Sequence, residues 1–548
     1  MVPLDPGHHW RAVAVQAEPA LRESGPAMEK PVTFGKLEIG MALSFDESQA
    51  EAKPDTPFRI AIMGDFSGRG SRWQLPADLP PIALKPVLID RDNFDQVLTR
   101  LKPELHLFIG REEDPPISIA FSELEDFHPD NLFERLAVFQ KLRETRRKLD
   151  TQSTYPDAAA EVKKWMGREA EPAGIPPEPP QKAPPGPQQE NAGGLSLLDQ
   201  IMTQSRDLPR REIQPSSDLA AYVQKIAKPH LIPREDPQKS ELIQFVDETT
   251  TLLMREILHH PDFQALEAAW RAVYLLTSEL ETGTDLKLYL IDLPKALLAA
   301  DLTAAEDLSE TGLHRMLVEQ SAETFGGEPW SLLVGNYSFD QRLEDIEILG
   351  RIAKIARHAG APFIAAASPH VLGCDSLASA PHPRDWKRTG DPKERDVWEL
   401  LRGMPEASCL GLALPRFLLR LPYGRETDAV GRFEFEEMDE PPYHENYLWG
   451  NPAFACALLI GRTFTLNGWD FSAGILREVS NLPMHVYKIE GESVMKPCAE
   501  VVLTEQAAEK ILDAGLMLLV SFRERDIARL ARLQSLARPP AALAGRWS

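Results

Sequence analysis

Cysteine is scarce in this chain of 548 residues: Cys374, Cys409, Cys456 and Cys498 stand far apart, and none forms a CxxC pair. A disulfide framework is therefore not expected, and buried thiols in a reducing compartment are. Positive charge is short as well. Lys and Arg number 60 against 83 Asp and Glu, a net charge of −23 and a pI near 5.1. Phosphate backbones are bound by Lys/Arg patches, so nucleic acid is not an expected partner. The same charge disfavours anionic membrane surfaces. No window reaches the roughly 18 apolar residues of a membrane span. The longest apolar stretches, "APFIAAASP" and "AFACALLIG", suit buried strands or helices. The first thirty residues hold no apolar run of signal-peptide length. The chain reads as cytoplasmic, with no membrane insertion. Residues 1–30 form an expected disordered leader, unless translation starts at Met28, which an intact mass decides.

Signatures of chemistry are missing too. His259 and His260 in "EILHHPDFQALEAAWRAVYLL" are adjacent, so on a helix they point about 100° apart and cannot share a metal. They read as a helix boundary. "GDFSGRG" (Gly64–Gly70) lacks the Lys-Ser/Thr end of a phosphate loop, and Asp65 would repel phosphate, so it reads as a turn after a strand. No nucleophile elbow surrounds Ser368. The carboxylates lie in mixed-charge helices, and Trp270, Trp330 and Trp449 read as core or interface anchors. No catalytic residue, cofactor or metal is expected, and the chain is not expected to be an enzyme.

Proline is what the chain has in quantity, 47 residues in all. Eight of them fall between Pro172 and Pro187, in a segment with too little apolar surface to fold. The expected division is a small module at 31–150, a Pro-rich linker at 151–194, a connector at 195–237, a large module at 238–490 and a C-terminal region at 491–548. The expected fold class is α/β (mixed α+β): two modules, each with mixed sheets covered by helices.

In the small module, Phe58, Ile60 and Ile62 alternate before the Gly-rich turn, as in a strand. "LKPVLIDRDNFDQVLTRL" reads as strand then helix, started by Asp90–Asn93. "ELHLFIG" and "ISIAFSEL" read as a hairpin. A helix from Pro129 carries a stripe of Leu132, Leu136, Phe139, Leu142, Arg146 and Leu149. "LSLLDQIMTQSR" (Leu195–Arg206) is short, amphipathic and isolated, and reads as a docking peptide. In the large module a helical region spans 238–280. It is interrupted at His260 and Pro261, with Phe263, Leu266, Trp270, Val273 and Thr277 on one face. Strands follow at "DLKLYLIDL", "WSLLVGNYSF" and "APFIAAAS". Helices follow at "LEDIEILGRIAKIARHAG" and "LHRMLVEQSAETFGG", the latter stopped by Gly326 and Gly327. This β–α–β order implies a mixed or parallel sheet.

These segments resemble a known family in both modules. "IAIMGDFSGR", "IDRDNFDQVL" and "ISIAFSELEDFHPDNLFERLAVFQKLRETRRKL" look like the small subunit of the bacterial type VI secretion contractile sheath (VipA/TssB type). "EILHHPDFQALEAAWRAVYLL", "FGGEPWSLLVGNYSF", "EDIEILGRIAKIARHAGAPFIAAASPHVLG", "LGLALPRFLLRLPYG", "FEFEEM" and "YLWGNPAFACALLIGRTF" look like its large subunit (VipB/TssC type). The resemblance implies a non-enzymatic, cytoplasmic structural protein. Its implied partners are other sheath subunits, an Hcp-type inner-tube protein, a baseplate and a ClpV-type AAA+ unfoldase. It implies that the unfoldase grips Leu197, Leu198, Asp199, Ile201 and Met202. It also implies strand exchange between neighbours, for which Val32, Phe34, Leu37 and Ile39 are the candidates. Open helical assembly needs complementary surfaces rather than pockets. Leu136, Phe139 and Leu142 on one stripe and Phe263, Leu266 and Trp270 on another are accordingly the expected inter-module helix interface. Two features depart from the family pattern: the subunits are joined in one chain, and the C-terminal region is short. The alternative reading is a truncated, sheath-derived adaptor that caps or regulates a sheath.

Overall fold

The computed structural model describes residues 33–34, 37–38, 56–72, 84–110, 115–166, 239–321, 327–387 and 391–547. The chain divides into two units, residues 1–46 and 47–548. In the first, β1 (Thr33–Phe34) and β2 (Leu37–Glu38) pair antiparallel, Phe34 opposite Leu37. Two of the four residues expected in an exchanged strand therefore face each other in this short ladder. Val32 and Ile39 lie outside the described residues, as do the leader, residues 167–194 of the expected Pro-rich linker and the docking peptide; residues 151–166, also expected to be linker, carry a helix at Tyr155–Trp165 instead.

The second unit is built on one nine-stranded sheet. β3 (Phe58–Gly64) reads FRIAIMG, and every residue except Arg59 is buried. A near-continuous apolar run of this kind is the pattern of a parallel strand covered on both faces. It runs parallel to β7 (Leu286–Asp292) along its whole length and to β8 (Leu332–Phe339) from Ile60 to Met63. β4 (Val87–Ile89) closes the edge, antiparallel to β7. Beyond β8 follow β9 (Phe363–Ala367) and β10 (Leu410–Leu414), both parallel. Outside β10 lies β16 (Met517–Ser521), parallel to it. Then come β17 (Ala528–Leu530) and β13 (Glu478–Val479), each antiparallel to its inner neighbour. Smaller ladders join β5 (Glu104–Leu107) to β6 (Ile117–Ala120), β11 (Phe417–Leu418) to β12 (Trp449–Gly450), and β14 (Val486–Ile489) to β15 (Glu492–Met495).

The mixed α/β class and the individual strands follow the sequence pattern, but the expected separate sheets do not occur. β3, from the small module, inserts between β7 and β8, and β4 adds to the edge; the other strands come from the large module and, in β16 and β17, from the C-terminal region. The chain leaves β7 and returns at β8 with a strand-wide slot between them, and β3 fills it. Periodicity reports that a strand is buried on both faces; it does not report which strands flank it.

The longer described helices, each of about two turns or more, are α1 (Phe94–Leu101), α2 (Pro129–Arg135), α3 (Ala137–Asp150), α4 (Tyr155–Trp165), α5 (Lys239–Leu258), α6 (Pro261–Glu279), α7 (Lys295–Ala304), α8 (Leu343–Ala359), α9 (Pro392–Gly403), α10 (Pro452–Asn467) and α11 (Glu505–Asp513). Their ends carry the expected signals. His260 caps α6 by accepting from the Asp262 N–H, with Pro261 at the first helical position. Gly360 ends α8 at φ 62°. α10 is buried from Pro452 to Gly461, as an all-apolar helix requires. With α8 it covers β8, β9 and β10. All four cysteines are free and buried, and burial raises the Cys456 thiol to about 12, which leaves it inert as a nucleophile. Among the described residues no helix is long and apolar enough to cross a membrane.

Two helical expectations are corrected. The stripe from Leu132 to Leu149 spans two helices, because Leu136 adopts an extended backbone (φ −76°, ψ 130°) between α2 and α3. Its apolar members stay buried, while Arg146 leaves the stripe and pairs with Asp247 at 2.6 Å. The helix expected to run to Gly326 instead ends in a widened turn at Arg315–Glu319, closed by Gln320 N–H donating to Arg315 O at 2.9 Å. Such a wide turn spends an extra residue per bond and disrupts the regular ladder.

Close packing at the sheet centre yields one prediction. A Cβ at Gly335, on β8, would lie 2.5 Å from Phe363 Cζ and 2.8 Å from Tyr337 Cδ2. Both rings are buried, so Gly335→Ala is expected to cost about 1–3 kcal/mol by overpacking, read as a lower urea midpoint.

Candidate functional site

The described residues hold no group of three or more His, Cys, Asp or Glu placed to bind a metal. His260 accepts from its own helix, and His259 Nε2 lies 3.7 Å from Glu437. The Gly64–Gly70 turn is filled by carboxylates. Asp65 accepts from the N–H groups of Arg69 (2.9 Å) and Gly70 (2.6 Å), and Asp292 from those of Phe66 (2.9 Å) and Ser67 (3.1 Å). Burial, with the Asp292 charge beside it, raises the Asp65 carboxyl above its ordinary value. The donors that a phosphate would need are thus already taken. A groove of about 660 Å³ runs along α5 past Ile243, Asp247 and Arg255. Asp247 and Arg255 are already paired, with Arg146 and Asp439.

What the fold does build is a seam between small and large modules. On α6, Trp270 is fully buried and donates its Nε1–H to Phe66 O at 2.9 Å. Its ring meets Phe66 and Phe94 edge-on, at 5.8 and 5.7 Å between centroids. Phe263, one helical face further back, meets Phe121 at 6.0 Å and Phe127 at 5.7 Å, and those two rings stack at 4.0 Å. Edge-to-face pairs of this kind add to plain burial. Leu266 is buried between them in sequence.

Phe263, Leu266 and Trp270 therefore lie on a seam helix, where the rings that Phe263 and Trp270 meet belong to Phe121, Phe127, Phe66 and Phe94. Leu136, Phe139 and Leu142 are buried in the same core, and α3 packs against α4 and α5. α5 and α6 are consecutive helices broken at His259–His260, and each turns an apolar face to a different part of the small module. Periodicity identifies such faces without matching them.

Polar contacts register the seam. Asp130 accepts from the backbone N–H groups of Gly431 (3.0 Å) and Arg432 (2.9 Å), and Arg432 pairs with Glu134 at 2.7 Å. Phe133 stacks on Phe433 at 4.5 Å. Arg69 reaches Asp292 at 2.8 Å.

Behind α6 lies a charge cluster that sequence reading missed. Arg420 is held between Glu267 (2.8 Å) and Glu437 (2.7 Å), with its guanidinium 4.1 Å from the Tyr423 ring centroid. Glu437 also accepts from the Tyr423 N–H at 2.7 Å. Arg271 donates to Glu267 (2.7 Å) and to the Tyr423 hydroxyl (3.0 Å). Glu267, Arg420 and Glu437 are all buried. Burial works to raise Glu437, yet the Arg420 charge and the surrounding hydrogen bonds outweigh it and hold the carboxyl down to about 2. A signal for the cluster was present: single charges inside apolar runs, Arg420 in "FLLRLPYG" and Glu267 in "ALEAAW". Charges in such places are rarely buried unless paired.

The comparisons fit this geometry. The VipB family, described as "EvpB/VC_A0108, tail sheath N-terminal domain", matches residues 240–537. A second family, "Type VI secretion system, VipA, VC_A0107 or Hcp2", matches residues 36–168. The class is thus tail sheath. The chain belongs to the VipB family and carries a VipA-type region ahead of it, a TssB–TssC fusion. Over 307 residues it is 36% identical to the type VI secretion system sheath protein TssC1 of Pseudomonas aeruginosa PAO1, covering 54% of this chain and 61% of that protein. Over 115 residues it is 31% identical to TssB1 of the same organism, covering 20% of this chain and 63% of that protein. The chain spans under two-thirds of each of these relatives. The seam runs between the two family matches: β3 and β4 fall in one, β7 to β10 in the other.

Proposed function

We propose that this chain is a structural subunit of a type VI-like contractile tail sheath in which the small and large parts pair within one polypeptide. The observation that carries the reading is β3: a strand from the VipA-type region lies between two strands of the VipB-type region, hydrogen-bonded to both. Neither part completes its sheet alone, so the unit that assembles is the pair. The subunit polymerises through complementary surfaces around an Hcp-type inner tube on a baseplate, and contraction of the lattice drives the tube outward. It performs no bond-making chemistry and acts in the cytoplasm. The segment Leu197–Met202, outside the described residues, is the handle for a ClpV-type unfoldase. Its place after a proline-rich stretch supports that role. Negative-stain microscopy of the purified chain tests the reading. Long hollow tubes are expected, alone or with separate sheath subunits. Single particles under both conditions would replace it with the adaptor alternative.

A further inference from the structure

One titratable cluster lies apart from the seam and plays no part in it. Lys496, the residue after β15, places Nζ 2.6 Å from His444 Nδ1. On the other side of the ring, His444 Nε2 lies 3.2 Å from Glu500 Oε1. Glu500 is buried and accepts from the Arg416 backbone N–H at 2.9 Å and from Arg416 Nε at 2.8 Å. Burial opposes its ionisation, but the bonds from His444 and Arg416 hold it below its ordinary value. A carboxylate only accepts, so His444 Nε2 carries the hydrogen and Nδ1 turns a lone pair to the amine. The imidazole is further fixed by its own backbone, since Trp449 Nε1–H donates to His444 O at 2.9 Å.

The remaining groups around the amine are Glu445, bound to Arg416 at 3.1 Å, and Tyr447, whose hydroxyl lies 2.7 Å from His485 Nδ1. Lys496 Nζ stands 4.9 Å from the Tyr447 ring centroid and 5.7 Å from that of Trp449. Arg416, 39% exposed, lies 5.7 Å from the same Trp449 ring. The array is a buried carboxylate, an oriented imidazole and a half-buried primary amine on one aromatic platform, beside a guanidinium held by Glu445 and Glu500. That is the order of parts in an activated nucleophile. No other residue of the proposed sheath mechanism uses it.

We propose that Lys496 is an acyl-acceptor site, modified by small acyl phosphates, with His444 as the proton acceptor and Glu500 as its orienting group. The neutral amine attacks the acyl carbon. The N–C bond forms, the C–O bond to phosphate breaks, and phosphate departs with the electron pair into solvent. The proton released from nitrogen passes to His444 Nδ1, and nothing is oxidised or reduced. The amide carries no charge. Acylation therefore removes the cation above Tyr447 and Trp449 and leaves Glu445 and Glu500 with Arg416 as their cation, which loosens the β14–β15 hairpin that Lys496 follows.

The amine is also poised for the step. Burial lowers Lys496 to about 8, against the opposing pull of Glu500 and Glu445. Neutral amine is then abundant near neutral pH, although a less basic amine is also a weaker nucleophile. The test treats the full chain with acetyl phosphate at pH 7.5 and follows each lysine by peptide mass spectrometry. Lys488, exposed on β14, is the internal reference. Lys496 is expected to acylate about tenfold faster than Lys488, and His444→Gln to remove that advantage while leaving Lys488 unchanged. In the unaltered chain the Lys496 rate is expected to level off above pH 8, a readout that does not depend on a variant folding. Equal rates at the two lysines, or a Lys496 rate that keeps climbing to pH 10, overturn the proposal.

Discussion

Arg420→Met is expected to destabilise the chain by about 3–5 kcal/mol, among the largest effects available from a single side chain here. The reason is what remains, not what is lost. Glu437 stays buried without the Arg420 cation, and Glu267 is left with Arg271 alone, at 2.7 Å. A buried pair of charges adds little over well-packed apolar residues, but half a pair is costly. The triple variant Glu267→Gln, Arg420→Met, Glu437→Gln is therefore expected to recover much of the loss. An exposed ion pair on the same seam sets the contrast. Arg146 and Asp247 are each 47% exposed, and Asp247→Ala is expected to shift stability by less than about 1 kcal/mol. Urea midpoints of the four proteins decide. A loss for Arg420→Met no larger than that for Asp247→Ala would mean the cluster is solvated in the folded chain.

The same cluster makes stability depend on acid in a stated direction. Glu437 is held at about 2 when folded, against an ordinary 4.5. Between those values the unfolded chain binds the extra proton, so the contribution is complete above about 4.5 and drains as pH falls toward 2. It amounts to something on the order of 3 kcal/mol. In Glu437→Gln this part of the acid slope is absent.

How far the sequence announces this architecture differs from feature to feature. Phe58, Ile60 and Ile62 mark a strand, Asp90–Asn93 mark a helix start, and His260–Pro261 mark a break, because each depends on neighbours within a few residues. The large-module segments carry the family resemblance for the same reason: they are long and ordered. The placement of β3 between β7 and β8 is not legible, since its partners lie 228 and 272 positions away, at Leu288 and Leu332 opposite Ile60. Nor is the pairing of stripes. Leu142 and Trp270 both announce a buried face, and only the tertiary path decides that Trp270 meets Phe66 and Phe94. Arg420 and Glu437 are seventeen positions apart, with no helical or strand spacing to link them, so their charges looked like ordinary surface.

Ile62→Asp is the second large effect. Ile62 is fully buried, opposite Leu290 on one side and Val334 on the other. A carboxylate there replaces a fully buried apolar side chain between two apolar cross-strand neighbours, and the chain is expected to lose its cooperative fold rather than a few kcal/mol. Because β3 is the shared strand, the loss extends to both modules. Phe58, Ile60, Ile62, Phe66, Phe94, Phe121 and Phe127 are all buried. Together they bring about 10–20 kcal/mol of gross transfer energy to the seam before ordering entropy is subtracted. Residues 195–548 produced without the VipA-type region are accordingly expected to be insoluble, because β7 and β8 then present open hydrophobic edges to other copies. Co-production of residues 1–194 with 195–548 is expected to restore a soluble pair that elutes together in gel filtration, and Ile62→Asp in the shorter piece to abolish that rescue. A large fragment that is soluble alone, and melts as cooperatively as the whole chain, would show that β7 and β8 close without β3.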